Sequence, residues 1–179
     1  MSETYDVVLL VEQPLSRQDA VRVRGLHSDV ADPVRYHVML PVEDAAAQVE
    51  SALGSIAASE VLASPAMVMD SDNVEAMQRE LLDQARDDVS ACIDRLTDAG
   101  ADVLGEVVTA DPIDALITKV SDVDAAEVIV LTRSHVVSEF FHLDWTSRAR
   151  RKLGVPVLHL LEHENFDEQA GGGEGVSGF

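Results

Sequence analysis

Short apolar runs alternate with segments of helical periodicity along the whole chain. The runs are bounded by turn residues and are too short for buried helices, which makes them candidate buried strands. They cover residues 5–12, 34–43, 102–108, 126–131 and 155–162. Strands separated by helices form parallel sheets, because each crossover returns to the same end of the sheet. The sequence therefore predicts a three-layer, doubly wound α/β fold with a five-stranded parallel sheet and helices on both faces.

The segments between these runs carry helix signals. The strongest covers residues 73–100, with Asp72 as a candidate N-cap, Glu75 completing a capping box, and Gly100 in the left-handed position at the end. Its apolar stripe is Val74, Met77, Leu81, Ala85, Val89, Cys92 and Leu96. Further helices are predicted over 16–29 (capped by Ser16), 44–63, 111–122 (capped by Asp111, with Pro112 in the first turn) and 145–153. The "VRVRGL" part of the segment 16–29 is also compatible with extended structure. Residues 64–72 are expected to break the helix over 44–63.

Composition restricts the classes of partner. The 179 residues carry a formal charge of −20, which disfavours nucleic acid and anionic membranes as partners. The single cysteine, Cys92, excludes a disulfide framework and is expected to be a small core residue. The sequence shows no signal peptide and no apolar run long enough to span a membrane, so we expect a cytoplasmic protein. Residues 1–163 form the predicted domain, and the Gly-rich acidic tail 164–179 is expected to be disordered.

The C-terminal half carries a family pattern. The stretch "VVTADPIDALITKVSDVDAAEVIVLTRS" followed by "RKLGVPVLHL" resembles universal stress proteins, and "YDVVLLVE" and "YHVMLPVE" fit the first two strands of that family. The resemblance covers most of residues 5–162. It implies the α/β fold already predicted and a homodimer formed through the C-terminal strand, Val155–Leu161. Such a contact would also protect an apolar sheet edge.

The nucleotide motif of the family is degenerate in this chain. Nucleotide-binding members carry G-x-x-G-x9-G-[ST] after the fourth strand, where glycines let backbone N–H groups approach the phosphates. The three glycine positions fall on Leu131, Ser134 and Asp144, and the hydroxyl position falls on Trp145. A carboxylate at Asp144 would repel phosphate. The resemblance therefore implies no bound cofactor, with ATP disfavoured, and the chain looks more like the members of the family that do not bind nucleotide.

Ligands of doubly wound folds bind at the carboxyl ends of the strands, where the strand order reverses. Under the resemblance, Glu12 matches an acidic residue near the ribose, and Thr146 or Ser147 would replace the lost hydroxyl position in a shifted register. The residues of the expected degenerate crevice are Glu12, Val38, Thr132, Ser134, Asp144 and Thr146.

Three other features of the C-terminal region have a structural and a functional interpretation. His135, Glu139 and His142 have the spacing of a metal site on a helix, but we predict no metal. The basic cluster Arg148–Lys152 fits a helix C-terminus or an anion patch. His159 and His163 share a face of the last predicted strand, and in a dimer they would be pH-sensitive; the alternative is a place at a strand end or interface rim.

Three functions follow. The first is a non-catalytic, homodimeric regulatory or stress-response protein that acts through an unidentified protein partner. The second is a binder of a small molecule without phosphate, or of an atypical nucleotide, in the same crevice. The third is a metal-dependent enzyme at His135, Glu139 and His142. No nucleophile motif supports covalent catalysis, so we expect no enzyme activity and no catalytic residues.

Overall fold

The computed structural model describes residues 4–42, 71–132 and 152–161. The strands are β1 (Tyr5–Val11), β2 (Val34–Pro41), β3 (Asp102–Val108), β4 (Glu127–Thr132) and β5 (Val157–Leu161). The helices are α1 (Arg17–Gly25), α2 (Ser71–Asp98) and α3 (Pro112–Asp122). All strand pairs are parallel and follow the order β3-β2-β1-β4-β5. The predicted fold class is therefore confirmed, and the strand order reverses between β1 and β4.

The core lies in two layers, one on each face of the sheet. On one face, α1 and α2 cover the odd-numbered side chains of β1 together with Tyr36 and Val38 of β2. On the other face, Leu116 and Val120 of α3 pack on Val8 and Leu10 of β1. Because both faces of the central strands are covered, β1 and β4 read in the sequence as continuous apolar runs rather than as alternating ones.

Local signals account for most helix ends. Ser16 caps α1 through its hydroxyl, which accepts from the Asp19 N–H at 3.0 Å. Gly100, with φ of +84°, follows α2 as predicted. The predicted N-cap of that helix is wrong: α2 includes Ser71, so Asp72 lies within its first turn, where a carboxylate is favoured by the helix dipole. Ser71 and Asp72, which were predicted to lie in the break over 64–72, are thus helical, and residues 64–70 lie outside the described residues.

Several predictions lie outside the described residues. These are the helix over 44–63, the loop from 133 to 151 with its metal-site spacing and most of its basic cluster, and the tail over 164–179. Of the last predicted helix, Lys152 and Leu153 are described and are helical. Gly154 follows them with φ of +67°, so the helix ends there as predicted.

Candidate functional site

The candidate site is the carboxyl edge of the sheet between β1 and β4. The register pairs Val11 with Leu131, which places the next residues, Glu12 and Thr132, side by side along that edge. The backbone N–H of Glu12 also donates to the carbonyl of Leu131 at 3.4 Å. The structure therefore brings together two of the predicted crevice residues, one from each strand at the point where the strand order reverses.

Thr132 is held by a histidine of the neighbouring strand. Its hydroxyl oxygen lies 2.8 Å from Nε2 of His159, and the Thr132 residue is 7% exposed. Thr132 pairs with Leu161 in the register of β4 and β5, and Val130 pairs with His159, so both side chains project from the same face of the sheet. Burial lowers the pKa of the His159 imidazole below its usual value, which favours its neutral form.

Leu131, which the family resemblance would align with the first glycine of the nucleotide motif, belongs to the core. Its side chain is fully buried with the apolar residues of the α1 and α2 face. The strand continues beyond it, since Leu131 pairs with Leu160 and Thr132 pairs with Leu161. The backbone here is part of a sheet ladder. It does not form the open glycine turn through which a phosphate would reach successive N–H groups.

Of the other predicted crevice residues, one lies elsewhere in the sheet and three lie outside the described residues. Val38 is buried in β2, where it pairs with Leu9 and Gly105, three residues before the strand ends at Pro41. It lies in the core beneath α1 and α2. Ser134, Asp144 and Thr146 lie outside the described residues.

The loop after β1 is fixed by contacts with α2. The N–H of Leu15 donates to Sγ of Cys92 at 3.3 Å, and the Arg95 guanidinium donates to the Leu15 carbonyl. Cys92 is fully buried, as predicted for a core cysteine. In α1, the helix that follows this loop, Nη1 of Arg22 donates to the Leu161 carbonyl at 3.0 Å. These contacts hold the ends of β1 and β5 in fixed positions on the α1 and α2 side of the sheet.

The first backbone N–H groups of α3, the helix that follows β3, are occupied by the side chain of its own N-cap residue. Oδ1 of Asp111 accepts from the N–H groups of Ile113 and Asp114 at 2.9 and 3.0 Å. This confirms the predicted cap. It also places a carboxylate where an anion would otherwise find free N–H donors, so this helix end does not favour a phosphate.

Two other described histidines belong to a different part of the sheet. His27 lies between Tyr36, at 2.7 Å, and Glu127, at 2.5 Å. His37 lies 2.6 Å from Asp6. Tyr36, which is fully buried, has its pKa raised to about 12 by burial. These pairs involve the beginnings of β1 and β4 and the first half of β2, so they stabilise the sheet far from the carboxyl edge.

Two kinds of feature are absent from the described residues, a cluster of metal ligands and a membrane-spanning helix. Residues 4–42, 71–132 and 152–161 contain no group of three His, Cys, Asp or Glu side chains placed to hold a metal ion. Within the same ranges, none of the helices combines the length and the apolar character that crossing a membrane requires.

His159 is the site residue that the crevice prediction missed. The sequence predicts it on the last strand, either as a pH-sensitive residue of a dimer or at a strand end or interface rim. Its contact with Thr132 depends on the register between two strands that are separated by the 24 residues 133–156. The period-two pattern predicts which face a strand residue occupies but not its partner on the next strand.

Comparison with known proteins gives structural similarity only. No protein-family model matches the chain, and no curated protein does either. The structures of the hypothetical proteins MJ0577 and PH0823 are each 13% identical to the chain, with alignments that cover 90% of this chain and 99% of theirs, and their TM-scores are 0.58 and 0.55. A universal stress protein family protein from Arabidopsis thaliana with AMP bound is also 13% identical over 91% of this chain and 94% of its own, with a TM-score of 0.49. The likeness to the structures of MJ0577 and PH0823 shows that the chain shares their fold.

Proposed function

We propose that the chain is a cytoplasmic, non-catalytic regulatory protein with the universal-stress-protein fold, which forms a homodimer through β5 and does not bind ATP. The observation that carries the proposal is the position of Leu131. This residue stands at the first glycine of the nucleotide motif and is a fully buried core residue of a continuing strand.

The physical reason concerns the backbone. A phosphate loop works because glycines leave the strand and present several N–H groups to one anion. Here β4 keeps its ladder with β5 through Thr132, so the backbone at the first motif position is already engaged. The edge also carries the Glu12 carboxylate next to Thr132, in a protein of net charge −20, which adds electrostatic repulsion to the missing contacts.

The loss of ATP binding is tested by calorimetric titration of the full chain with Mg-ATP and, separately, with AMP. We expect no heat of binding for either nucleotide at concentrations up to the millimolar range. Asp144→Asn is the informative variant, because it removes one carboxylate but leaves β4 continuous. Micromolar binding by the wild-type chain would refute the proposal. Binding gained by the variant alone would show that charge, rather than the continuing strand, excludes the nucleotide.

The dimer proposal is supported by the position of β5 at the edge of the sheet that the described residues form. This strand pairs with β4 on one side and ends the sheet on the other. The Val128 N–H donates to the Pro156 carbonyl at 2.9 Å, and in a parallel ladder the N–H groups of Leu158 and Leu160 then face β4. Those of Val157, His159 and Leu161 face outward, away from β4. Leu158 is an apolar side chain of this edge strand that is 37% exposed.

A charge at the edge tests the dimer. Leu158→Glu is expected to produce a monomer in light scattering, since it removes an exposed apolar side chain and brings together two carboxylates in a symmetric contact. Leu104→Glu is the matched control, because Leu104 is 54% exposed on β3 at the opposite edge of the sheet. We expect this variant to remain a dimer. The proposed interface is wrong if the Leu104 variant dissociates and the Leu158 variant does not.

A second candidate function is favoured by the polar row Glu12, Thr132 and His159 along the edge. A carboxylate and a hydroxyl, with a neutral imidazole behind the hydroxyl, accept hydrogen bonds and suit a protonated amine better than a phosphate. Titration with putrescine tests this alternative. Binding that disappears in Glu12→Gln would support it, and equal heats from the two proteins would exclude Glu12 from the site.

A further inference from the structure

A cavity on the α3 side of the sheet lies away from the carboxyl edge between β1 and β4. Its volume is about 220 Å³, and its described lining residues come from β2, β3 and α3: His37, Val38, Leu104, Gly105, Glu106 and Lys119. We infer that this cavity is a binding site for a small primary amine that carries an apolar group. The inference goes beyond the proposed function, since it depends neither on the dimer nor on the absence of ATP binding.

His37 places a hydrogen-bond acceptor at the cavity. Its Nε2 lies 2.6 Å from Oδ1 of Asp6. Because a carboxylate only accepts hydrogen bonds, Nε2 carries the proton, and Nδ1 of the neutral imidazole keeps its lone pair. Nδ1 has no hydrogen-bond partner in the part of the chain that the structure describes, and it is not sealed inside the protein. Since His37 lines the cavity, this lone pair is accessible from the cavity.

The contact with Asp6 fixes the orientation of this acceptor. The side chains of His37 and Asp6 are only 10% and 17% exposed, so neither turns freely toward solvent. The backbone of His37 is held as well, because β2 is paired with β1 on one side and with β3 on the other. An acceptor that is ordered before the ligand arrives loses little conformational entropy when the ligand binds.

Glu106 provides a second acceptor. It pairs with Met39, two residues after His37, so Glu106 and His37 project from the same face of the sheet as diagonal neighbours. Oε1 of Glu106 lies 2.9 Å from Nζ of Lys119, and no other described side chain pairs with this carboxylate. The ion pair with Lys119 therefore leaves Oε2 of Glu106 able to accept a hydrogen bond from a ligand.

The charges around the cavity favour a cation. Two carboxylates, Asp6 and Glu106, stand against one ammonium, Lys119, which leaves one net negative charge beside the neutral imidazole. The neighbouring pair of Arg35 and Asp102, at 2.7 Å, adds no net charge. The formal charge of −20 on the whole chain acts in the same direction.

A primary ammonium with an apolar group matches these features. It has three N–H donors, so it can donate to Nδ1 of His37 and to Oε2 of Glu106 at the same time. A hydroxyl offers one donor and no charge, and a carboxylate offers no donor and is repelled by Glu106. Leu104 is the register partner of His37, and its side chain is 54% exposed on the same face. It provides an apolar contact for the rest of the ligand.

The test is an NMR titration of the nitrogen-15-labelled full chain with phenethylamine at pH 7.5 in constant salt. We expect a Kd in the millimolar range, as for other small ligands, with shifts in the amide signals of the lining residues. The Nδ1 signal of His37 should move when the amine is added. Phenethyl alcohol should bind at least about fivefold more weakly, because it has no charge to strengthen its hydrogen bonds. Phenylacetate should not bind.

Glu106→Gln is the decisive variant, because it removes the carboxylate from a half-exposed position at which the fold tolerates an amide. Its Kd for phenethylamine is expected to be at least about fivefold higher than that of the wild type. Asp102→Asn is the matched control. Asp102 lies on the same face of β3 but is not one of the described lining residues, so the chain loses the same charge while the cavity keeps its own. We expect this variant to bind the amine as the wild type does.

The inference is overturned if phenethylamine leaves the amide signals of the cavity unmoved, if phenethyl alcohol binds equally well, or if Glu106→Gln keeps the wild-type Kd. It is also overturned if Asp102→Asn loses as much affinity as Glu106→Gln, since the effect would then come from the total charge. Shifts confined to Glu12 and Thr132 would place the amine at the carboxyl edge instead. Because neither nucleotide nor self-association is measured, failure here is distinct from failure of the proposed function.

Discussion

Gly105 sets the distance between α2 and β3, and its replacement by alanine is the sharpest test of the packing. A Cβ built at this position would lie 2.6 Å from Cγ1 of Val89 and 3.0 Å from Cδ1 of Ile93. Carbon atoms in favourable contact are about 3.5–4.0 Å apart, so the valine methyl would have to move by about 1 Å. Val89 is buried in a helix, where a β-branched side chain has one strongly preferred rotamer. The helix itself must therefore shift.

The expected cost follows from these contacts. Overpacking of a well-packed core costs about 1–3 kcal/mol. Alanine recovers about 0.4–1 kcal/mol by restricting the unfolded chain more than glycine does. The net destabilisation of Gly105→Ala is therefore about 1–2 kcal/mol, which lowers the melting temperature by roughly 2–8 °C in a chain of this size.

Urea unfolding followed by circular dichroism measures this difference. Gly25→Ala is the control, because nothing lies within 4 Å of a Cβ at Gly25, and the variant should be as stable as the wild type or slightly more stable. The clash is tested by adding Val89→Ala. The double variant should recover about 1 kcal/mol relative to the sum of the single effects. A Gly105→Ala protein as stable as the wild type, or additive effects in the double variant, would refute the close approach of α2 to β3.

Three further predictions concern the cap of α3, the buried tyrosine and the buried thiol. Asp111→Ala should cost about 1 kcal/mol in urea unfolding and Asp111→Ser much less, because serine still accepts from the helix N–H groups; equal losses would refute the role of the cap. The pKa of Tyr36 is raised to about 12, so the stability that it contributes is fully present below pH 10 and is lost as the pH rises toward 12. The difference in phenolate absorbance between the wild type and Tyr36→Phe should show this late ionisation, because Tyr5, whose pKa burial also raises, ionises in both proteins. Cys92 should react with a thiol reagent only as fast as the protein unfolds, since it is fully buried; rapid labelling of the folded protein would contradict the packing of α2.

Local patterns were sufficient to predict every strand of the sheet. The apolar runs correspond to β1 through β5 within two residues at each end, and the caps at Ser16 and Asp111 define the first residues of α1 and α3. The ambiguous segment after Ser16 is helical because Ala20 and Val23 then bury one side of α1 against the sheet. The start of α2 was misplaced because Ser, Asp and Asn are acceptable both as caps and within a first turn.

The site was less predictable because it depends on contacts between strands. Glu12 ends one predicted apolar run and Thr132 follows another, so both residues could be placed at the carboxyl edge of the sheet. Val38 was carried over from the family resemblance, and the structure shows it as a core residue of β2. The partner of Thr132 required the register of β4 and β5, in which His159 pairs with Val130 and so lies close to the Thr132 hydroxyl. No local pattern contains that register.

The length of β4 bears on two parts of the proposed function, the absence of ATP binding and the dimer edge. A glycine turn at Leu131 would end β4 there and leave Leu161 without a partner on that strand. Because β4 continues, Thr132 pairs with Leu161 and its hydroxyl reaches His159. The longer ladder supports the edge strand along its full length, and a well-ordered edge strand presents its outward N–H groups in the regular spacing that a second copy needs. The continuous ladder thus supports both parts of the proposal, a chain that does not bind ATP and a dimer that forms through β5.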